Sequence, residues 1–202
     1  MTKTDPLERY SIREATEEDL PAILDIYNEQ VLNSTALFLY DPIPLQDRQS
    51  WFSDSKQLGY PVIVAVEKST EQTIAYCSLG VFRSKPAYCL SAEISLYIHK
   101  SHHRQGLGKV LLSEMIRIAQ EMRLRSIIAS VTADNAASLG LFGKHKFVLA
   151  GKFHDVGYKF GCFLDVEFHE LILDAAPKVN AQGVPEYNPF PWGRYTYGGS
   201  AL

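Results

Sequence analysis

The residues best suited to chemistry are gathered in one stretch, Leu96-Tyr97-Ile98-His99-Lys100-Ser101-His102-His103-Arg104-Gln105-Gly106-Leu107-Gly108-Lys109. An apolar run of β character enters a glycine-containing turn that opens a helix. The first turn of a helix leaves backbone N–H groups without internal partners, at the positive end of the helix dipole. Gly106 and Gly108 let a ligand approach the main chain closely, and Arg104 and Lys109 add positive charge. Such a turn suits a pyrophosphate. It is not a P-loop, because Gly-x-x-x-x-Gly-Lys-Ser/Thr is absent, and it is not a dinucleotide fingerprint, because the third glycine is missing. Taken alone, it is equally a turn with a helix cap.

A second stretch, Val131-Thr132-Ala133-Asp134-Asn135-Ala136-Ala137-Ser138 continuing to Lys146-Phe147, changes that balance. Together the two resemble the Gcn5-related N-acetyltransferase (GNAT) superfamily. Its pyrophosphate loop reads Gln/Arg-x-x-Gly-x-Gly/Ala, and a later helix begins with Asn and ends in Gly-Phe or Gly-Tyr. His103 to Gly108 fills the first pattern and Asn135 to Phe147 the second. The resemblance spans about Ile12 to Leu173. Within it the chain is most similar to the phosphinothricin and methionine-sulfone acetyltransferase branch, through Ile12-Arg13-x-Ala15-Thr16, Asp19-Leu20, Ile26-Tyr27-Asn28, Phe82-Arg83, and Ala92-Glu93 leading into Tyr97-Ile98. Three positions depart from the pattern. His103 stands for Gln or Arg, Lys146 for the glycine before the closing aromatic, and Phe142 for a tyrosine that can serve as general acid, which leaves the acid unassigned.

The resemblance implies an acetyl-CoA-dependent N-acetyltransferase that moves an acetyl group to the amine of a small amino-acid-like substrate by direct attack on the thioester. The amine must lose a proton, the thioester oxygen must be stabilised, and the reactants must be aligned. Glu93 is the candidate general base, directly or through a water; the competing reading is a surface carboxylate on a strand. Leu96, Tyr97 and Ile98 are expected along the pantetheine arm, and His103, Arg104, Gln105, Gly106, Leu107, Gly108 and Lys109 around the pyrophosphate. Asn135 and Ser138 can reach the cofactor from the next helix, although Asn135 also reads as a helix N-cap. Arg83 can bind a substrate carboxylate through its planar fork, with Tyr88, Phe38 and Thr35 lining the same pocket; the alternative for each is ordinary surface or packing. His99, His102 and His103 lack partners at metal spacing, so no metal is expected. Two other functions stay open: acetylation of a protein or peptide amine, and a CoA-binding sensor without turnover.

The elements that must hold these residues follow from periodicity. Tyr10–Arg13 reads as a strand, and Thr16 with Asp19 as the capped start of a helix over 17–32 bearing Leu20, Ile23, Leu24, Tyr27 and Val31. Leu45–Gln57 suggests a second helix. Pro61–Val66 and Thr73–Phe82 read as an antiparallel hairpin, and Ala92–Ile98 as the strand entering the glycine turn. A helix follows with Leu107, Val110, Leu111, Met115, Ile118, Ala119 and Met122 on one face. Then come a strand at Ser126–Val131, a helix opened by Asn135, and closing strands at Phe147–Phe153 and Phe163–Leu173. This order predicts one α/β (α+β) domain over residues 8–173, a central mixed twisted sheet flanked by helices.

Residues 174–202 differ, with four prolines and the aromatics Tyr187, Phe190, Trp192, Tyr195 and Tyr197; they read as an irregular tail that packs on its own domain or on a partner subunit. The net charge of -3 provides no global attraction to nucleic acid. No apolar run approaches the roughly 20 residues of a membrane span, and Met1–Pro6 lacks an apolar signal core. Cys77, Cys89 and Cys162 are too few and scattered for a disulfide framework and read as buried thiols in a reducing cytoplasm. Relatives often dimerise, so the resemblance implies a homodimer.

Overall fold

The computed structural model describes residues 5–174 and 176–199. Seven strands form one sheet: β1 (Tyr10–Glu14), β2 (Val62–Glu67), β3 (Gln72–Val81), β4 (Ser91–Ile98), β5 (Ser126–Thr132), β6 (Val148–Lys159) and β7 (Cys162–Ile172), in the spatial order β1-β2-β3-β4-β5-β7-β6. All neighbours are antiparallel except β4 and β5. That parallel pair needs a crossover, which the helix α4 (Leu107–Glu121) supplies. The mixed sheet expected from the element order is therefore present.

Helices cover both faces. A short α1 (Pro6–Arg9) precedes β1. α2 (Leu20–Asn33) and α3 (Leu45–Gln57) lie on one face, where Leu20, Ile23, Ile26 and Phe52 pack on Val62, Val64 and Tyr76. α4 lies on the other, burying Leu107, Leu111, Leu112, Met115, Ile118 and Ala119 against Ile63, Ala65, Cys77 and Leu79. α5 (Ala136–Lys144) joins that side through Phe142 and Leu141. All six residues of β2 are buried, because both layers cover it.

The first long helix begins as a single 3-10 turn at Glu17–Asp19 before α2 proper, and Pro21 falls in its first turn, where a missing N–H is harmless. Asp19 does more than cap. Its carboxylate accepts from Thr16 N–H at 2.8 Å, from both Arg13 nitrogens at 2.6 and 2.8 Å, and from Thr73 Oγ1. Burial works to raise its pKa, but these donors hold it below the usual carboxylate value.

Two expectations change. β6 extends to Lys159, well past Phe153, with irregular register between Phe153 and Gly157. The thiols are also not uniformly buried: Cys77 is, Cys89 is half-buried, and Cys162 is exposed at the start of β7 beside the hairpin turn.

The last segment folds back on the domain. Two-residue strands β8 (Lys178–Val179) and β9 (Pro185–Glu186) form a small hairpin, a regular element not expected there. Asn188 then bonds Met122 O and Glu121 O at the end of α4, and Phe190 N–H bonds Gly59 O at 2.8 Å. Phe190 is buried, and Trp192 meets Phe52 edge-on at 5.4 Å. Gly193 N–H donates to the Glu14 carboxylate, while Tyr195 Oη and Gly198 N–H donate to Glu114 Oε1 at 2.7 and 3.1 Å.

Candidate active site

The site is organised by a fork in the sheet. β4 and β5 pair only at Ser91↔Ser126, Ala92↔Ile127 and Glu93↔Ile128; beyond Glu93 the two strands separate. β3 accompanies β4 from Val81↔Ala92 to Ala75↔Ile98. His99 N–H bonds Ile74 O on β3 at 2.8 Å. Strand alternation therefore turns the peptide groups of Leu96 and Ile98 toward the opened side, away from β3. Apart from Ile98 O, which His103 Nε2 takes, those groups form a free strand edge, the kind of surface along which an extended amide-bearing arm can lie. Tyr97 takes no part in that edge: its peptide faces β3, and its ring packs on Tyr27 and Tyr76.

The glycine turn follows at the end of this edge. Arg104 and Gly106 adopt left-handed backbone conformations, φ 60° and 88°, and Gly106 is the N-cap of α4. The amides of Arg104, Gln105 and Gly106 donate to no protein acceptor among the described residues, and Arg104 and Lys109 lie exposed beside them. This is an anion cradle at a helix N-terminus. Its shape is set from below. Gln105 Oε1 accepts from Tyr10 Oη at 2.5 Å and from Arg9 at 2.9 Å, and Arg9 is paired with Glu67. Because the Tyr10 hydroxyl gives its proton to Gln105, the Nδ1 of His102, 2.8 Å away, must be the donor to it. Burial pushes the His102 pKa down, keeping the ring neutral. The Gln105 side chain thus anchors the turn and leaves only its amide for a ligand. His103 Nε2 bonds Ile98 O at 2.9 Å, closing the turn on itself. Leu107 is core, and a side chain on Gly108 would meet Leu141 Cδ2 at 3.0 Å, so Gly108 serves the packing of α4 on α5.

On the α2 side of the fork, Glu93 Oε1 accepts a hydrogen bond from Ser130 Oγ of β5 at 2.6 Å. Ser130 in turn lines a cavity of about 370 Å³ with Thr132, Ala36, Leu37, Phe38, Phe153, Val156, Val166 and Phe168. Glu93, the last residue of β4 to pair with β5, is thus joined to the cavity wall through Ser130. Thr35 sits at the rim, its Oγ1 between Thr132 Oγ1 and Asp134, linking the α2–α3 connection to the start of α5. Asn135 is the N-cap of α5, its Oδ1 accepting from Ser138 N–H at 3.1 Å.

Not all the expected residues converge. Phe38 lines the cavity and Thr35 borders it, but Arg83 and Tyr88 do not line it. They stand on the β3–β4 connection, where Arg83 lies over the Phe82 ring at 4.4 Å and donates to Phe82 O, and Tyr88 packs on Phe82. Phe142 is buried against Phe147, a core position with no hydroxyl to offer. The apolar lining from β6 and β7, together with Ser130 and Thr132, is unannounced in the sequence. Its signal is faint: Phe153, Val156 and Phe168 read as ordinary strand residues until the fork places them around a void.

A model of the acetyltransferase (GNAT) domain matches residues 12–167. The chain belongs to the GNAT acetyltransferase family. It is similar to the L-methionine sulfoximine/L-methionine sulfone acetyltransferase of Pseudomonas aeruginosa, at 38% identity over 164 residues, covering 81% of this chain and 95% of the relative. The L-amino acid N-acyltransferase of Escherichia coli is 35% identical over 86% of this chain and 99% of its own length. Among solved structures, the GNAT superfamily phosphinothricin acetyltransferase of Sinorhizobium meliloti in complex with AcCoA superposes with a TM-score of 0.81 at 30% identity, covering 87% of this chain and 95% of that one. This GNAT protein is an N-acetyltransferase that uses acetyl-CoA. The residues present fit that co-substrate: unpaired amides with flanking cations at the glycine turn, and a free strand edge leading to the fork. The last residues of the chain, from 168 on, lie outside the family match.

Proposed function

We propose that this GNAT protein acetylates the amine of a small amino acid whose side chain is neutral and largely apolar. The observation that carries this reading is the Glu93–Ser130 pair where β4 and β5 part, Ser130 being part of the wall of an apolar cavity. None of the cavity's lining residues is charged, so an anionic acceptor side chain would lose hydration there without a counter-charge. A sulfone or hydrocarbon side chain would not. Relatives that act on methionine sulfone and on L-amino acids support this substrate class.

When bound, acetyl-CoA supplies the activated acyl group. Glu93 accepts the proton of the acceptor ammonium, and Ser130 orients its carboxylate by donating to one oxygen. The peptide groups of Leu96 and Ile98 position the pantetheine arm, and the amides of Arg104, Gln105 and Gly106, with Lys109, hold the pyrophosphate. Arg83, exposed on the connection that leads into β4, takes the acceptor's carboxylate. A second copy of the chain covers the outer apolar surface at the tip of the β6–β7 hairpin, where Phe160 and Phe163 are 60% and 66% exposed; the three free thiols suit a reducing compartment such as the cytoplasm.

The test is release of CoA thiol over the common L-amino acids, methionine sulfone, methionine sulfoximine and phosphinothricin. Neutral acceptors should be preferred over phosphinothricin. Glu93→Gln should lower turnover on the best acceptor with acetyl-CoA affinity unchanged, and the deficit should shrink as pH rises and bulk solution deprotonates the amine. Wild-type turnover in Glu93→Gln at pH 7 would remove the base from Glu93.

A further inference from the structure

Lys159, at the last position of β6, is 3% exposed, and among the described residues its ammonium meets no carboxylate. A buried ammonium has three protons to satisfy and no acceptor of its own. Here each has a main-chain carbonyl: Val31 O at 2.7 Å, Ser34 O at 2.8 Å and Leu37 O at 2.7 Å. Phe160 offers its ring face to the same nitrogen at 4.9 Å. Val31 belongs to the last turn of α2, whose carbonyls have no partner within the helix and lie at the negative end of its dipole. Ser34 and Leu37 belong to the connection that follows. One side chain therefore ends α2 and gathers the segment that leads into the cavity wall.

Its two neighbours on β6 act on the same segment. Tyr158 O accepts from Tyr40 Oη at 2.8 Å. Gly157 lies under the Phe38 ring, and a Cβ there would overlap ring atoms. Three consecutive residues of β6 thus grip residues 31–40, and Ala36, Leu37 and Phe38 of that span line the cavity. The other wall, Phe153 and Val156, stands on β6 itself.

We propose that the Gly157–Lys159 end of β6 is a clamp that sets the acceptor cavity: Lys159 is a positioning residue for the Ala36–Phe38 wall, and the contact of Phe38 on Gly157 gauges the acceptor side chain. The proposal rests on the reading of this cavity as the acceptor site. It requires no new chemistry, because Lys159 is saturated by carbonyls and acts only by holding the main chain. Cavities that discriminate by shape do so through small displacements, and one methylene of misfit changes kcat/KM by roughly tenfold or more.

The experiment uses the full chain and two readouts. Amide hydrogen exchange of residues 31–40 reports the clamp whatever the acceptor is. Lys159→Met, of similar length but uncharged, should speed exchange in this segment. It should raise KM for the best acceptor of the panel about tenfold, leave kcat within about twofold, and leave acetyl-CoA affinity by calorimetry unchanged. Gly157→Ala should move Phe38 and change the kcat/KM ratio between a long and a short acceptor by about fivefold or more. If Lys159→Met does not fold, Tyr40→Phe takes its place: Tyr40 is exposed, and loss of its bond to Tyr158 should speed exchange in the same segment to a smaller degree. Unchanged exchange in these variants overturns the clamp, as does faster exchange with an unmoved KM and an unmoved acceptor ratio. A wild-type protein silent on every acceptor would instead reject the acceptor-site reading, and with it the gauge, while the exchange result still decides whether Lys159 holds the wall.

Discussion

Arg83 and Glu93 illustrate what single residues reveal. Arg83 is exposed, with one hydrogen bond, to the neighbouring Phe82 O. A guanidinium so lightly held is available to an incoming carboxylate. Arg83→Ala should raise KM for a free amino acid by roughly tenfold to a hundredfold, the equivalent of a charge-assisted pair of about 1.5–3 kcal/mol. The amide of the same amino acid should be affected far less, and equal losses on acid and amide would place the arginine elsewhere. Glu93 is legible in the sequence only through the family resemblance, since a lone carboxylate on a strand says nothing of its surroundings. Ser130 is not legible at all. It sits in Ser-Ile-Ile-Ala-Ser-Val-Thr, which reads as a buried strand, and its hydroxyl gains a role only because β4 leaves β5 two residues before it. Lys159 is hidden for the opposite reason: a lysine near a hairpin turn reads as solvated, and only the fold brings three carbonyls to it.

Elements with one strong periodicity are the ones the chain announces. α4 begins where the pattern places it, because the glycine turn and the apolar stripe each point to the same start. β6 does not, because it is an edge strand paired on one side, exposed along most of its length and irregular after Phe153, so its later half lacks alternation. The turn before α4 offers a direct test. Gly106 has φ 88°, and any side chain there also meets Pro6, so Gly106→Ala carries both strain and bulk without charge. Gly106→Asp adds a carboxylate among the amides proposed to hold the pyrophosphate. Acetyl-CoA affinity should fall for the alanine variant and much further for the aspartate, with similar melting temperatures for the two. Matching affinities for both would mean that no phosphate lies there.

At the scale of the molecule, the distinctive feature is the return of residues 186–199 along α4. The composition of this tail shows that it has something to bury, but the receiving surface is assembled from α3, β1 and α4, and no local pattern identifies it. Removing everything after Asp174 uncovers Phe52 and strips Glu114 of two donors. Phe190 and Trp192 are each worth roughly 1.5–3 kcal/mol in burial, offset in part by the ordering of the strap at about 1–2 kcal/mol per residue. The truncated protein should melt at least several degrees lower, measured by calorimetry, and an equal melting temperature would mean that the strap contributes nothing. The strap is also sensitive to acid. Burial works to raise the Glu114 pKa, but Arg117, Tyr195 and the Gly198 amide hold it below the ordinary value. Its contribution is therefore complete above the free glutamate range, about 4.3, and is lost as pH falls through the lower folded value. Between pH 7 and pH 3 the full chain should lose more stability than Glu114→Gln; parallel losses in the two would assign the acid response to other carboxylates.

The strap also makes maturation depend on the order of synthesis. Glu14, Gly59 and Glu114 leave the ribosome well before Asn188 to Gly198, which cover them. The sheet, the glycine turn and the fork can all be complete while the outward side of α4 still shows an acid lacking two of its donors and a bare aromatic groove. Closure then waits for the synthesis of residues 188–198. A premature stop after β7 would release a protein with its whole catalytic framework and an uncovered, adhesive flank, so such a lesion should appear first as aggregation and proteolytic turnover rather than as a defect in acetyl transfer.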